Sequence, residues 1–277
     1  MFCDYHVHTD YSDDSVYLME DVVKDAIKKE IDEICFCDHV DYGIKWDWDE
    51  KIPMVYRDNG EPYANVDYPK YEKEILFLKE KYKEQIHIKM GMEFGMQMHT
   101  IEKYQRLFNR YDFDFIILSC HQVEDTEFWT QDFQRGRTQK EYNERYYQEI
   151  LDIVKIYKDY SVLGHLDLIT RYDENGVYPF NHIKDIVSEI LKIVIEDGKG
   201  IEINTSSHRY GLKDLTPSRD ILKLYKSLGG KIITIGSDSH KEEHLGAYIE
   251  ETKKELKNLG FEYYCTFDKM KPVFHKL

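Results

Sequence analysis

Seven short apolar segments of this 277-residue chain each close on a histidine, a carboxylate or, once, an amide, and no other feature limits the possible folds so sharply. The closing stretches are Asp4-Tyr5-His6-Val7-His8, Cys37-Asp38-His39, Gly91-Met92-Glu93, Ser119-Cys120-His121, Gly164-His165, Glu202-Ile203-Asn204 and Gly236-Ser237-Asp238-Ser239-His240. An apolar run read as a strand, closed by a polar group and followed by helical spacing, sets that group at the C-terminal mouth of the strand. In parallel α/β barrels this mouth carries the active site. Imidazoles mixed with carboxylates suit borderline divalent ions such as zinc, manganese and iron. Seven such ends converge on a metal cluster if the sheet closes, whereas an open sheet would scatter them along an edge.

Between these segments, strand and helix patterns alternate, which implies a parallel sheet. Apolar spacing predicts helices over 16–30, 71–82, 101–110, 139–157, 182–196 and 244–259. Another is expected to open at Thr216-Pro217-Ser218, with Pro217 just inside it, and to reach Leu228. The intervening strands fall at 33–37, 86–93, 113–120, 161–165, 200–204 and 231–236. Two stretches, 41–67 and 122–137, lack periodicity and are expected to cover a functional mouth or to be disordered. With no linker, repeat or low-complexity tract, residues 1–277 read as one barrel-sized domain.

A formal charge of −15 argues against a nucleic-acid partner, because phosphate backbones are bound through Lys and Arg. An anionic substrate would then need a local positive focus. The odd set Cys3, Cys35, Cys37, Cys120 and Cys265 is a poor disulfide framework and reads as buried small hydrophobes in a reducing, cytoplasmic setting. The chain opens without a basic or apolar leader pattern, and no window approaches the run of about 18 apolar residues that spans a bilayer.

Two imidazoles in His6-x-His8 project to one side of a strand, and Asp238-x-His240 repeats that spacing near the other end of the sequence. Glu93 lies between Gly91 and Gly95, which leave backbone room at a crowded centre, and beside Met92 and Phe94 its charge needs a partner or a metal. His6-x-His8-Thr9 with Ser12 and Asp14, then Asp38-His39, Glu93, His121, His165 and Gly236-Ser237-Asp238-x-His240 resemble, in order, the motifs of the polymerase-and-histidinol-phosphatase (PHP) superfamily. The resemblance implies a distorted seven-stranded (β/α)7 barrel with two to three divalent ions (Zn, Mn or Fe). Its implied ligands are His6, His8, Asp14, His39, Glu93, His121, His165, Asp238 and His240, with Asp13 an adjacent competitor for Asp14. Glu93, Asp238 and His240 are the residues expected to be catalytic.

Chain size, Gly164-His165-Leu166-Asp167-Leu168 with Arg171, and Glu202-x-Asn204-Thr205-Ser206 with Arg209 resemble the monofunctional histidinol-phosphatases. That implies hydrolysis of L-histidinol phosphate to L-histidinol and phosphate; the alternative is another small phosphoester such as a nucleotide or a sugar phosphate. Arg171 and Arg209 are candidate phosphate clamps, since a guanidinium fork suits a dianion, and the competing reading is a surface arginine paired with a carboxylate. His208 is a candidate contact for the imidazole or the leaving oxygen, and Asp38 for orienting a neighbouring imidazole. Glu202 and Asn204 either support the metal shell or are structural. The aromatic stretch 42–68, with Trp46 and Trp48, either walls the pocket or packs over the barrel.

Overall fold

The computed structural model describes residues 1–50 and 64–277. In chain order the elements are β1 (Cys3–Val7), α1 (Met19–Lys28), β2 (Glu33–Phe36), β3 (His39–Val40), α2 (Tyr68–Lys81), β4 (His87–Gly95), α3 (Ile101–Phe108), β5 (Phe115–Ser119), β6 (Gln122–Val123), β7 (Thr126–Glu127) and α4 (Gln139–Ile156). They continue with β8 (Val162–Leu163), α5 (Phe180–Glu196), β9 (Gly200–Asn204), α6 (Arg219–Ser227), β10 (Ile233–Gly236), α7 (Ile249–Asn258), β11 (Tyr263–Asp268) and β12 (Lys271–Lys276). β2 and β3 are two halves of one interrupted strand, since both pair in parallel with β4. The main sheet therefore runs β1, β2/β3, β4, β5, β8, β9, β10, seven strands deep.

The last strand meets the first through a parallel bridge between Val7 and Ser239, where His8 N–H donates to Ser239 O (2.8 Å). Closure is nearly complete, and the expected seven-stranded barrel results. Register then places the chemistry: His39 lies opposite Glu93, and Glu93 opposite Ile117 two residues before the end of β5. The pairing of β1 with β2 shifts between Asp4 and Val7, an irregularity of the kind that re-aims side chains beside active sites.

The helices present apolar stripes to the strands; α5, for instance, buries Ile183, Val187, Ile190, Leu191 and Val194 on one face. At the end opposite the mouth where His39 meets Glu93, the β11–β12 hairpin floors the barrel. Phe267 and Phe115 approach at 5.0 Å, Tyr5 meets Phe115 edge-on at 5.0 Å, and Phe267 N–H donates to the Tyr5 hydroxyl (2.7 Å). Full burial of each such ring contributes about 1.5–3 kcal/mol.

Several boundaries differ from the sequence reading. α1 starts at Met19 because residues 9–18 are held in turns by Ser12 N–H to Thr9 O and Asp10 N–H to Tyr17 O, which leaves Val16 exposed. Pro217 precedes the N-cap Ser218 and so lies outside α6. α7 begins at Ile249, because Gly246 adopts φ 71° and turns its N–H to Asp4 Oδ2 (2.9 Å). The stretch 122–137 contains the β6–β7 hairpin, and β11–β12 is an addition to the expected elements. Of the stretch 41–67, residues 51–63, Pro53, Gly60 and Pro62 among them, lie outside the described residues. No helix among the described residues is long and apolar enough to cross a membrane.

Candidate metal centre

Glu93, fully buried two residues before the C-terminal end of β4, is the hub. Its Oε2 lies 2.9 Å from His39 Nδ1, 3.1 Å from His6 Nε2 and 3.6 Å from His8 Nε2. Its Oε1 lies 2.8 Å from His165 Nε2 and 3.1 Å from His121 Nε2. Asp238 Oδ1 sits 3.3 Å from His8 Nε2 and 3.8 Å from His6 Nε2. Asp14 Oδ2 is 3.0 Å from His240 Nε2 and 3.7 Å from His39 Nε2. Donors around a tetrahedral ion with bonds of about 2.0–2.1 Å are themselves about 3.3 Å apart, so these separations match a metal-binding set.

The atoms left over make the same case. His6 Nε2, His8 Nε2, His39 Nδ1, Glu93 Oε2 and His240 Nε2 are all buried without a hydrogen-bond partner. Orphaned polar atoms are costly in a core, and five in one cluster fit divalent ions. Electrostatics agree. Burial alone would raise Glu93, yet His6, His121 and His39 outweigh it and hold the carboxyl well below its ordinary range. Burial likewise opposes protonation of His121, but Glu93 and Asp41 carry it up to about 9. Without ions the cluster stores protons, which metal binding must displace.

Surrounding groups fix the rings. Glu202 Oε1 is 2.5 Å from His6 Nδ1, and its Oε2 accepts His165 N–H (2.9 Å), so this β9 residue supports two other strands. Asp38 acts one step removed from the imidazole it was expected to orient: it accepts Ser12 Oγ–H (2.6 Å), and Ser12 Oγ contacts His8 Nδ1 (3.1 Å). Asp41 Oδ1 meets His121 Nδ1 at 2.8 Å, and the buried Lys45 ammonium bridges Asp41 (2.7 Å) and Asp13 (2.5 Å). Asp13 is thereby engaged by Lys45, while its neighbour Asp14 faces His39 and His240. A Cβ on Gly95 would collide with the Asp41 carboxylate and the His121 ring, which is why glycine ends β4.

Above the donors lies a cavity of about 500 Å³. Arg171 lines it, stacked 4.2 Å from the Tyr210 ring and hydrogen-bonded to Ser206 Oγ, with its Nε lacking a partner. Asn204 takes part indirectly by accepting from Ser206 N–H (3.0 Å). Two expected substrate contacts, Arg209 and His208, lie outside the residues that line the cavity. Arg209 commits its fork to Ser237 O (2.6 Å) and Asp238 O (2.5 Å), pinning Asp238 in the left-handed conformation at φ 55°. His208 is exposed and stacks on Tyr248 at 4.4 Å, away from the cavity lining. Trp46 is half exposed and Trp48 packs on the core, so the described part of the 42–68 stretch contributes Lys45 instead of an aromatic wall. Glu127 and Trp129, from the second irregular stretch, line the cavity and were not singled out from the sequence.

The PHP domain family model matches residues 4–206. A histidinol-phosphatase of Lactococcus lactis is 31% identical over 97% of this chain and 95% of its own length, and a histidinol-phosphatase of Bacillus subtilis is 24% identical over 89% and 96%. The crystal structure of the Lactococcus lactis enzyme, complexed with zinc, L-histidinol and phosphate, superposes with a TM-score of 0.81 over 98% of both chains. A Listeria monocytogenes structure, 18% identical, shares the fold with a TM-score of 0.70 over 89% of this chain and 98% of its own. The barrel, the donor set at its mouth and these full-length likenesses agree: the chain belongs to the PHP domain family, among its histidinol-phosphatases.

Proposed function

We propose that the chain hydrolyses L-histidinol phosphate to L-histidinol and inorganic phosphate, using two to three divalent ions at the barrel mouth. The observation that carries this reading is the convergence of orphaned donor atoms around Glu93, beneath a cavity that also presents Arg171. We assign the first ion to His6, His8, Glu93 and Asp238, the second to Glu93, His121 and His165, and the third to Asp14, His39 and His240; the contacts of Asp238 with His6 and His8, of Glu93 with His121 and His165, and of Asp14 with His39 and His240 support this. The zinc in the Lactococcus lactis structure supports zinc, and manganese or iron suit the same donors.

When bound, the ions supply Lewis-acid charge to the phosphoryl oxygens and favour a water nucleophile near neutral pH. Glu93 spans the first two groups and holds them in register. Asp238 lies between His8 and Arg171 (Nη2 to Oδ2, 3.6 Å), and keeps that guanidinium at the mouth. Arg171, held by Ser206 and the Tyr210 ring, lines the cavity and would neutralise phosphoryl charge in the transition state. His240 and Asp14, 3.0 Å apart, hold the third corner beside the reacting centre. A cavity of this size takes a small phosphoester. The five buried free thiols support a cytoplasmic location, and we read residues 1–277 as one barrel unit.

The test is phosphate release from L-histidinol phosphate against a panel of nucleotides and sugar phosphates, after chelation and readdition of zinc or manganese. A kcat/KM at least about a hundredfold above every competitor, about 2.7 kcal/mol, is expected. Equal or better turnover of another ester would keep the metal centre and overturn the substrate.

A further inference from the structure

Ser119, the last residue of β5, is buried, and its hydroxyl donates to Glu93 Oε1 (2.7 Å). The approach follows from register. Gly91 to Gly95 of β4 pair in parallel with Phe115 to Ser119 of β5, which sets Glu93 opposite Ile117. Paired residues share a face and side chains alternate, so Ser119, two residues past Ile117, lies diagonally across from Glu93 on that face. The next strand of the sheet leaves room for the hydroxyl. A Cβ on Gly164 would come within 2.6 Å of Ser119 Oγ and 2.5 Å of Ile117 Cγ2, so any larger residue before His165 would push the hydroxyl off Glu93.

The two oxygens of Glu93 are held differently. Oε1 accepts from Ser119 and lies beside His165 Nε2 (2.8 Å) and His121 Nε2 (3.1 Å), whereas Oε2 is buried without a hydrogen-bond partner. An imidazole nitrogen that ligates an ion has given up its lone pair and carries no proton to donate. With His121 and His165 engaged in that way, Ser119 is the donor that stays on this carboxylate among the described residues. The last torsion of a glutamate is broad and roughly two-fold, so rotamer preference alone leaves the plane of the carboxylate free to turn. A hydrogen bond to a charged oxygen is strong and directional enough to stop it.

We propose that Ser119 is a positioning residue for the metal centre: its hydroxyl fixes the plane of the Glu93 carboxylate, so that Oε1 faces the ion assigned to His121 and His165 while Oε2 faces the ion assigned to His6 and His8. The inference rests on that metal assignment. The two ions depend on the hydroxyl unequally. Glu93 is the one carboxylate in the set assigned to the second ion, whereas the first also has Asp238, so the second loses more when the carboxylate turns.

The test compares wild type, Ser119→Ala and Ser119→Thr. Zinc affinities are read by competition with a chromogenic chelator. Anomalous scattering at the zinc edge, from crystals equilibrated at the same free zinc, shows which site is filled. Ser119→Ala is expected to bind the ion at Glu93, His121 and His165 about tenfold more weakly, about 1.4 kcal/mol, and to keep the ion at Asp14, His39 and His240 within about threefold of wild type. Ser119→Thr keeps the hydroxyl and is expected to stay within about threefold of wild type at every site. A serine that served packing alone would lower the urea midpoint of the metal-free chain without distinguishing one ion from another. Wild-type affinity at every site in Ser119→Ala overturns the inference and leaves the metal assignment intact. Equal weakening of all ions does the same, as does a loss in Ser119→Thr as large as that in Ser119→Ala. A wild type that holds no ion at Glu93 overturns the assignment and the inference together.

Discussion

Glutamine in place of Glu202 tests how one carboxylate supports the metal centre from outside it. The side chain is 1% exposed, and its two oxygens meet different partners, His6 Nδ1 at 2.5 Å and His165 N–H at 2.9 Å. A carboxylate accepts from both; a carboxamide has one oxygen and one NH2 group. If the amide oxygen keeps the His6 Nδ1–H, the NH2 faces the His165 N–H, donor against donor. In the flipped orientation, His6 must accept at Nδ1 and carry its proton on Nε2, the atom assigned to the ion. Either way the charge that favours the correct tautomer is lost. Removing such an orienting partner typically costs 10–100-fold in metal affinity, about 1.4–2.7 kcal/mol. We expect Glu202→Gln to bind the ion held by His6 about 30-fold more weakly, read by competition with a chromogenic chelator. The third ion, held away from His6 and His165, should stay near wild-type affinity, and activity should return when metal is supplied in excess. Wild-type affinity for every ion would refute this reasoning, and so would equal weakening of all of them.

Other perturbations separate neighbouring roles. Lys45→Met strands Asp13 and Asp41 in a buried site, where losing one partner of an ion pair costs roughly 3–5 kcal/mol; a urea midpoint unchanged from wild type would contradict the bridge. Asp14→Asn is expected to weaken the third ion more than about tenfold (1.4 kcal/mol), whereas Asp13→Asn leaves that affinity unchanged; the reverse order, measured by chelator competition, would exchange their assignments. His244 is held down to about 4 by burial and by Arg209 and Lys241. Its folded pKa lies below the unfolded value, so the unfolded chain binds more protons and stability falls as pH drops through the window between them. Between pH 7 and pH 5 that linkage destabilises the fold, by an amount that solvent screening reduces at this partly exposed ring. Denaturant titrations at both pH values should show His244→Gln losing less stability than wild type across the same interval, and identical losses would remove His244 as the cause.

Much of the centre was legible because each proposed ligand sits just beyond an apolar run. His6, Glu93, His121 and His165 follow segments too hydrophobic to be surface loops, and register alone brings His39 beside Glu93. Asp41 left a signal just past that strand, two residues after His39, where extended alternation would put both on one side. Lys45, Glu127 and Trp129 come from aperiodic stretches, where position depends on tertiary hydrogen bonds such as those of Gln97 to Asp125. The β11–β12 hairpin escaped because its turn, Lys269-Met270, adopts positive φ without the glycine or asparagine that usually marks one. Arg209 illustrates a different limit: a sequence can identify a guanidinium near a site, but only geometry reveals that both its Nη groups donate to the carbonyls of Ser237 and Asp238.

The most direct test of the account is anomalous scattering at the zinc edge from crystals of the zinc-loaded chain soaked with phosphate. The account predicts two or three ions within about 2.0–2.2 Å of the assigned atoms, two of them sharing Glu93, with phosphate against them and Arg171. A chain free of metal at Glu93, or ions held by other residues while phosphate release proceeds, would contradict it.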